Sequence, residues 1–390
     1  MNNQTPSIFV KFLVLVSVLF GLNYSAKLKS DSIRISKFRP SYDNQYVCTS
    51  KKLTDGTMYL REFSPSDKSG VAHHIILYGC RAPGVNADVW ACGDMNSRAD
   101  QKKNEGLIPG DVCSNGEDQN LLFVEAFQAG DYALPNEVSF KVGRGTPSQY
   151  LVIQIHYKMA GMFRDNPDAT DSSGIIFKYQ KVPTDFTAGV LLLGSVGSIP
   201  SRSEAGKDTY CMDIMCSPQA MPRYQTVKPF AFRVHAHSHG RLISGFVVRD
   251  ANPTERYMSY RSEGPQYANK VWMTLGVKSP QEEQTFYNVS DMLIEPSDIL
   301  VARCVYETSE KEVRIGPTAD DEMCNFYILY YMDGTTDARD LGQNVCFTSG
   351  QSSWKRQSLL LGKVPNWVKD LSLNTTLSDG EKLAGHDHAV

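Results

Sequence analysis

Short apolar runs recur along the chain between clusters of Gly, Pro, Asn and Asp, a pattern that predicts strands rather than helices. Runs at 150–157, 174–179, 231–237, 242–248, 299–306 and 325–331 are rich in Val, Ile, Phe and Tyr, and several alternate in polarity. Residues 191–199 are apolar but broken by glycines and serines, so they read as a core strand rather than a membrane span. Many short strands with frequent turn signals predict an all-β chain of β-sandwiches. The polar stretch 181–185, around Pro183, precedes a fresh apolar run. It places a boundary between one domain at 40–183 and a second at 184–350. Beyond about Gly350 the strand pattern fades, and residues 351–390 read as a polar, flexible tail.

A length of 390 residues suits two medium-sized domains. A net charge of −3 leaves no basic field to hold nucleic acid or anionic lipid. Lys11, an apolar run at 12–22 and the small residues Ser25 and Ala26 read as a secretory signal over residues 1–26, too short to span a bilayer. No later segment is long and apolar enough to do so, so a secreted or secretory-lumen protein without a membrane anchor is expected. Nine cysteines fit that oxidising compartment and suggest four bridges with one thiol left over. No CxxC or zinc-finger spacing occurs. The triplets Asn288-Val-Ser and Asn374-Thr-Thr are candidate glycosylation acceptors, a signal that chance also produces.

Five of the eight histidines stand in suggestive places. His73 and His74 are adjacent, and His156 ends a run in which Gln154 shares its parity. On a strand, residues two apart share a face. Arg233, His235, His237 and His239 are therefore expected on one side, with Phe232, Val234 and Ala236 on the core side. Two imidazoles so placed can grip one metal. By the same parity Met323, Asn325 and Tyr327 face one way, and Cys324, Phe326 and Ile328 the other. A thioether beside polar groups is odd for a pure core strand; it is a soft ligand that favours Cu(I). Each feature alone has a blander reading. Adjacent histidines are more often a surface or core feature, an isolated HxH pair more often points to zinc, and a strand methionine more often packs. His239 reads as a turn residue, and His386 and His388 lie in the tail.

The segments His-His-Ile-Ile-Leu-Tyr-Gly-Cys, Gln-Ile-His-Tyr, Arg-Val-His-Ala-His and Asp-Glu-Met-Cys-Asn-Phe-Tyr together decide the reading. As a set they resemble the copper type II, ascorbate-dependent monooxygenases over roughly residues 45–347, and more closely the peptidylglycine α-hydroxylating branch. The resemblance implies two jelly-roll sandwiches packed side by side, two copper ions, ascorbate as reductant and O2 as co-substrate. It assigns His73, His74 and His156 to an electron-storing copper in the first domain. It assigns His235, His237 and Met323 to a catalytic copper in the second. Arg233, Asn325 and Tyr327 match residues that hold the terminal glycine of a peptide, and Gln154 matches one suggested to relay electrons.

The resemblance also implies disulfides Cys48–Cys92, Cys80–Cys113 and Cys304–Cys324. Cys346 should pair with Cys216, with Cys211 as the second choice. One further bridge of the vertebrate relatives has no counterpart, because Asp171-Ser-Ser-Gly stands where its cysteine would be, a loss of about 2–4 kcal/mol. The expected activity is hydroxylation of glycine-extended peptides. The sequence leaves no room for the lyase domain of the bifunctional amidating enzymes, so a separate lyase is the expected downstream partner. Two rivals stand beside this: a dopamine β-monooxygenase-like enzyme acting on a small molecule, and a secreted copper-binding sandwich without turnover. A hydrolase finds no support, since neither HExxH nor GxSxG occurs.

Overall fold

The computed structural model describes residues 27–66, 71–93, 98–104, 106–116, 119–126, 130–216, 225–251, 270–316, 321–335, 345–349, 354 and 361–371. The signal-like segment 1–26, Asn374, His386 and His388 lie outside these residues.

The first half supplies β1 (Lys29–Arg34), β2 (Gln45–Lys52), β3 (Thr57–Pro65), β4 (His74–Cys80), β5 (Asn120–Ala126), β6 (Tyr132–Ala133), β7 (Val138–Gly143), β8 (Tyr150–Tyr157) and β9 (Gly174–Gln180). One sheet runs β2-β8-β4-β5, and it faces strands ordered β1-β9-β3-β7. Side-chain alternation decides what lies between them. Leu151, Ile153, Ile155 and Tyr157 of β8 and Ile75 and Leu77 of β4 enter the core with Leu60, Phe63 and Phe177. Gln154, His156 and His74 are thereby turned to the other face.

The second half supplies β10 (Phe186–Ile199), β11 (Thr209–Cys216), β12 (Lys228–His235), β13 (Gly240–Asp250), β14 (Lys270–Lys278), β15 (Tyr287–Asn288), β16 (Ile299–Glu307), β17 (Val313–Ile315), β18 (Asn325–Asp333) and β19 (Val345–Ser349). A sheet β11-β16-β13-β14 lies behind the strands β10-β18-β12-β15. Phe232, Val234, Phe326 and Ile328 fill the space between. The rings of Phe232 and Phe326 stack at 5.6 Å and 8°. Two glycines make room for them. A Cβ on Gly245 would lie 2.3 Å from the Phe326 ring, and one on Gly276 would lie 2.4 Å from Phe232.

The front sheet is buried on both faces. Ala188, Val190, Leu192, Ala231, Tyr327 and Leu329 point away from the second core and join the first. Phe286 adds to that seam, 4.9 Å from Tyr132 and 6.1 Å from Phe123. A short parallel pairing of β7 with β10, Val138 to Phe186, ties the halves into one hydrogen-bonded sheet.

Two sequence expectations change. Strand β12 ends at His235, and the chain turns back with Gly240 N–H donating to His237 O at 3.3 Å. His237 therefore opens a turn and leaves the strand face that parity assigned it, while His239 lies in the turn expected of it. The stretch from 351 onward is not a loose tail where it is described. Trp354, Leu361, Val364 and Val368 are buried against Phe246, Trp272 and Val301. Trp354 donates its backbone N–H to Asp213 at 2.9 Å and its indole N–H to Ile214 O at 3.1 Å, with the Arg303 guanidinium 4.2 Å above its ring. Trp354, Leu361, Val364 and Val368 together anchor that segment on residues distant in sequence.

Four disulfides close: Cys48–Cys92, Cys80–Cys113, Cys216–Cys346 and Cys304–Cys324. Cys211 is in none of them.

Candidate metal centre

Register brings the first set together. His74 of β4 lies directly opposite His156 of β8, so their side chains share the outer face of that sheet. His73, one residue before β4, donates its backbone N–H to His156 O at 2.8 Å. The ring centroids are 4.8–5.6 Å apart, and one ligating nitrogen from each ring lies within 4.8 Å of the others. Tyr46 of β2, opposite His156, stacks flat on it at 4.1 Å. His156 Nε2 donates to Asn44 Oδ1 at 3.2 Å. That tautomer leaves the lone pair on Nδ1, which is buried without a hydrogen-bond partner. An orphaned imidazole nitrogen beside two other imidazoles fits a metal ion.

Burial holds these rings neutral. It lowers His73 to about 4 and His156 to about 3, and it takes His74 well below the usual imidazole range. Neighbouring positive charges add to the effect. They come from Lys158 and His237 for His73, and from His156, His73, His235 and Arg233 for His74. The first histidine set therefore feels groups of the second half.

The second set forms where β12 ends. His235 lies opposite Asn325, and Arg233 opposite Tyr327, so these four side chains share the front face. The rings of His235 and His237 are 5.2 Å apart and nearly perpendicular, at 85°. Asn325 Nδ2 donates to Met323 Sδ at 3.7 Å, which ties the sulfur to the residue facing His235. Burial, reinforced by the Arg233 charge, takes His235 well below its usual pKa.

Both rings are oriented by bonds from Nδ1. His235 Nδ1 donates to Gln284 Oε1. His237 Nδ1 donates to Asp321 O at 2.5 Å. Each ring thereby keeps Nε2 as its lone-pair nitrogen, the arrangement in which an outer acceptor fixes the tautomer of a ligating histidine.

Glu322 binds the two segments together. Its carboxylate accepts from the backbone N–H of His237, of Met323 at 2.8 Å and of His239 at 2.8 Å, and it is 1% exposed. Cys304–Cys324 then pins the residue after Met323 to β16.

Arg233 is enclosed beside this set, 4% exposed. Its Nε donates to Gln284 O at 2.7 Å, and its guanidinium lies 5.3 Å from the centre of the Tyr327 ring. Gln154 is fully buried on the His156 side of β8; its Nε2 donates to Gly93 O at 2.7 Å, and its Oε1 has no hydrogen-bond partner. His239 sits in the turn, where its Nδ1 donates to Glu307 O at 3.2 Å and its backbone N–H to Glu322.

Sequence reasoning passed over Asn44, Gln284 and Glu322. Glu322 carried a signal, since it directly precedes the proposed sulfur ligand. Gln284 sits in a polar run, and nothing local distinguished it.

The donor chemistry, imidazoles with one thioether, suits a redox-active copper better than a hard cation. Comparison with known proteins agrees. The family description "Copper type II ascorbate-dependent monooxygenase, N-terminal domain" matches residues 32–163, and its C-terminal counterpart matches residues 186–358. Peptidyl-glycine alpha-amidating monooxygenase of Mus musculus is 32% identical over 305 residues, covering 77% of this chain and 26% of that protein. The relative from Rattus norvegicus matches with the same identity and coverage. Dopamine beta-hydroxylase of Homo sapiens is 27% identical over 304 residues, covering 75% of this chain and 44% of that protein. The chain spans about a quarter of the length of these amidating relatives. With both domain descriptions matched across most of its strands, the chain belongs to the copper type II, ascorbate-dependent monooxygenase family.

Proposed function

We propose that this chain hydroxylates the α-carbon of a peptide's C-terminal glycine, with O2 as co-substrate and ascorbate as reductant, in the secretory pathway. Arg233 carries the choice of substrate. Among the described residues no carboxylate lies within ion-pair distance of this enclosed guanidinium, and Gln284 O already takes its Nε. A buried cation without a carboxylate partner is costly, and a substrate carboxylate would pair with this guanidinium beside its hydrogen bond to Tyr327. Asn325 and Tyr327, on the same sheet face, would hold the terminal glycine beside His235.

Copper held by His73, His74 and His156, and by His235, His237 and Met323, would supply the one-electron steps that O2 needs to attack a C–H bond. The chain's own residues prepare the place. Burial keeps His73, His74, His156 and His235 neutral, Gln284 and Asp321 aim the ring nitrogens of His235 and His237, and Glu322 fixes the backbone that presents His237 and Met323.

The direct test incubates copper-loaded protein with ascorbate and a peptide ending in glycine. Mass spectrometry should show the gain of one oxygen atom. Arg233→Gln should raise the apparent KM about ten- to a hundredfold, as expected from losing about 1.5–3 kcal/mol of charge-assisted hydrogen bonding. An unchanged KM would remove Arg233 from the substrate site. The similarity to dopamine beta-hydroxylase keeps a second reading in play. Oxidation of a phenethylamine in preference to the peptide would select it.

A further inference from the structure

Asn288 stands in the triplet Asn288-Val289-Ser290, and nothing in the copper chemistry uses it. It closes β15, the terminal strand of the front sheet, which pairs with β12 through Ala231 and Phe232. Alternation separates the side chains here. Tyr287 and Val289 pack on the second core, and Phe286 packs on the first. Asn288 and Ser290 are both exposed. They follow Phe286 with the same parity, so the amide and the hydroxyl emerge together at the rim of the seam between the halves. The other edge of β15 has no partner strand among the described residues. An open edge is a template for pairing with another chain.

We propose that Asn288 is an N-glycosylation site whose glycan covers, at this seam, the edge of β15 that has no partner strand among the described residues. The inference rests on the secretory-pathway reading above. The donor is an oligosaccharide on a lipid pyrophosphate. The bond between its anomeric carbon and the pyrophosphate oxygen breaks, and a bond from Asn288 Nδ2 to that carbon forms. The amide nitrogen gives up one proton to a base of the transferase, and the lipid pyrophosphate leaves with the bonding pair.

The test expresses the full chain in a secreting eukaryotic cell and treats protein from the medium with peptide N-glycosidase in heavy-oxygen water. Asn288 should be recovered as heavy-oxygen-labelled aspartate. Asn288→Gln and Ser290→Ala should each remove one glycan's mass, and Ser290→Thr should retain it. Secreted protein unlabelled at Asn288 overturns the proposal and leaves the secretory reading standing; a chain that fractionates with the cytosol overturns both. Native removal of the glycan should increase the dimeric and larger species in sedimentation, with ascorbate-dependent turnover unchanged. A deglycosylated chain that stays monomeric removes the shielding role.

Discussion

Glu322 shows how much of the site depends on one side chain. A single buried carboxylate takes three backbone N–H groups, two of them from His237 and Met323. Glu322→Gln turns one acceptor oxygen into a donor that faces another donor. Copper affinity of the second site and turnover should each fall about 10–100-fold, the range for loss of a ligand-supporting partner. Copper binding at the three-histidine set should be unchanged in the same titration. Equal loss at both would mean that Glu322 holds the fold rather than the site.

The buried histidines give a second test at this scale. In the metal-free chain the unfolded state protonates its imidazoles below about pH 6.5. The folded state does so only near about 4 for His73 and about 3 for His156. The stability contributed by keeping them neutral is complete above the unfolded value and is lost as pH falls toward the folded ones. The melting temperature of the metal-free protein should therefore drop steeply with acidification. His156→Ala should flatten that slope; an equal slope in the variant would show that other groups control it. The candidate ligand positions stood out because the chain has only eight histidines and because Met323 lies in a recognisable segment. The outer partners did not, since an amide or a carboxylate has many other uses.

At the scale of elements, β12 and β18 present the site on one face and are held by aromatic packing on the other. Phe232 and Phe326 lie against Gly276 and Gly245 with no space for a methyl group. Gly276→Ala should destabilise the protein by about 1–3 kcal/mol through overpacking, read as a shift in denaturant midpoint. It should also lower turnover more than copper content, because Phe232 shares β12 with His235. Undiminished turnover at reduced stability would separate the back of the strand from its front. The strands themselves were readable from alternation. The end of β12 was not, because the alternation of residue types runs on through His237 and His239 while the backbone turns. The segment at Trp354 escaped for a different reason: its hold comes from Asp213, Ile214 and Arg303, all distant in sequence.

Over the whole molecule, the seam between the halves is the feature the sequence signalled least. Its one trace is the nearly continuous apolar run at 188–193, as a strand buried on both faces requires. Cross-links distribute stability unevenly over this frame. Cys216–Cys346 closes a separation of 130 residues and Cys304–Cys324 one of 20. Loop entropy gives about 5 kcal/mol for the first and about 3 kcal/mol for the second. Replacing both cysteines of each pair with alanine should follow that order in unfolding free energy and reverse it in activity, since Cys324 adjoins Met323. A larger activity loss from the distant bridge would deny Cys304–Cys324 its place in holding the sulfur.

The central claim is that sulfur from Met323 joins His235 and His237 around a second copper. X-ray absorption at the copper edge, on reduced and fully loaded protein, addresses it directly. A sulfur shell is expected alongside nitrogen in the wild type. In Met323→Ile that shell should vanish, turnover should cease, and the nitrogen shell of the three-histidine set should remain. A sulfur shell that survives the substitution, or copper lost equally from both sites, would contradict the assignment.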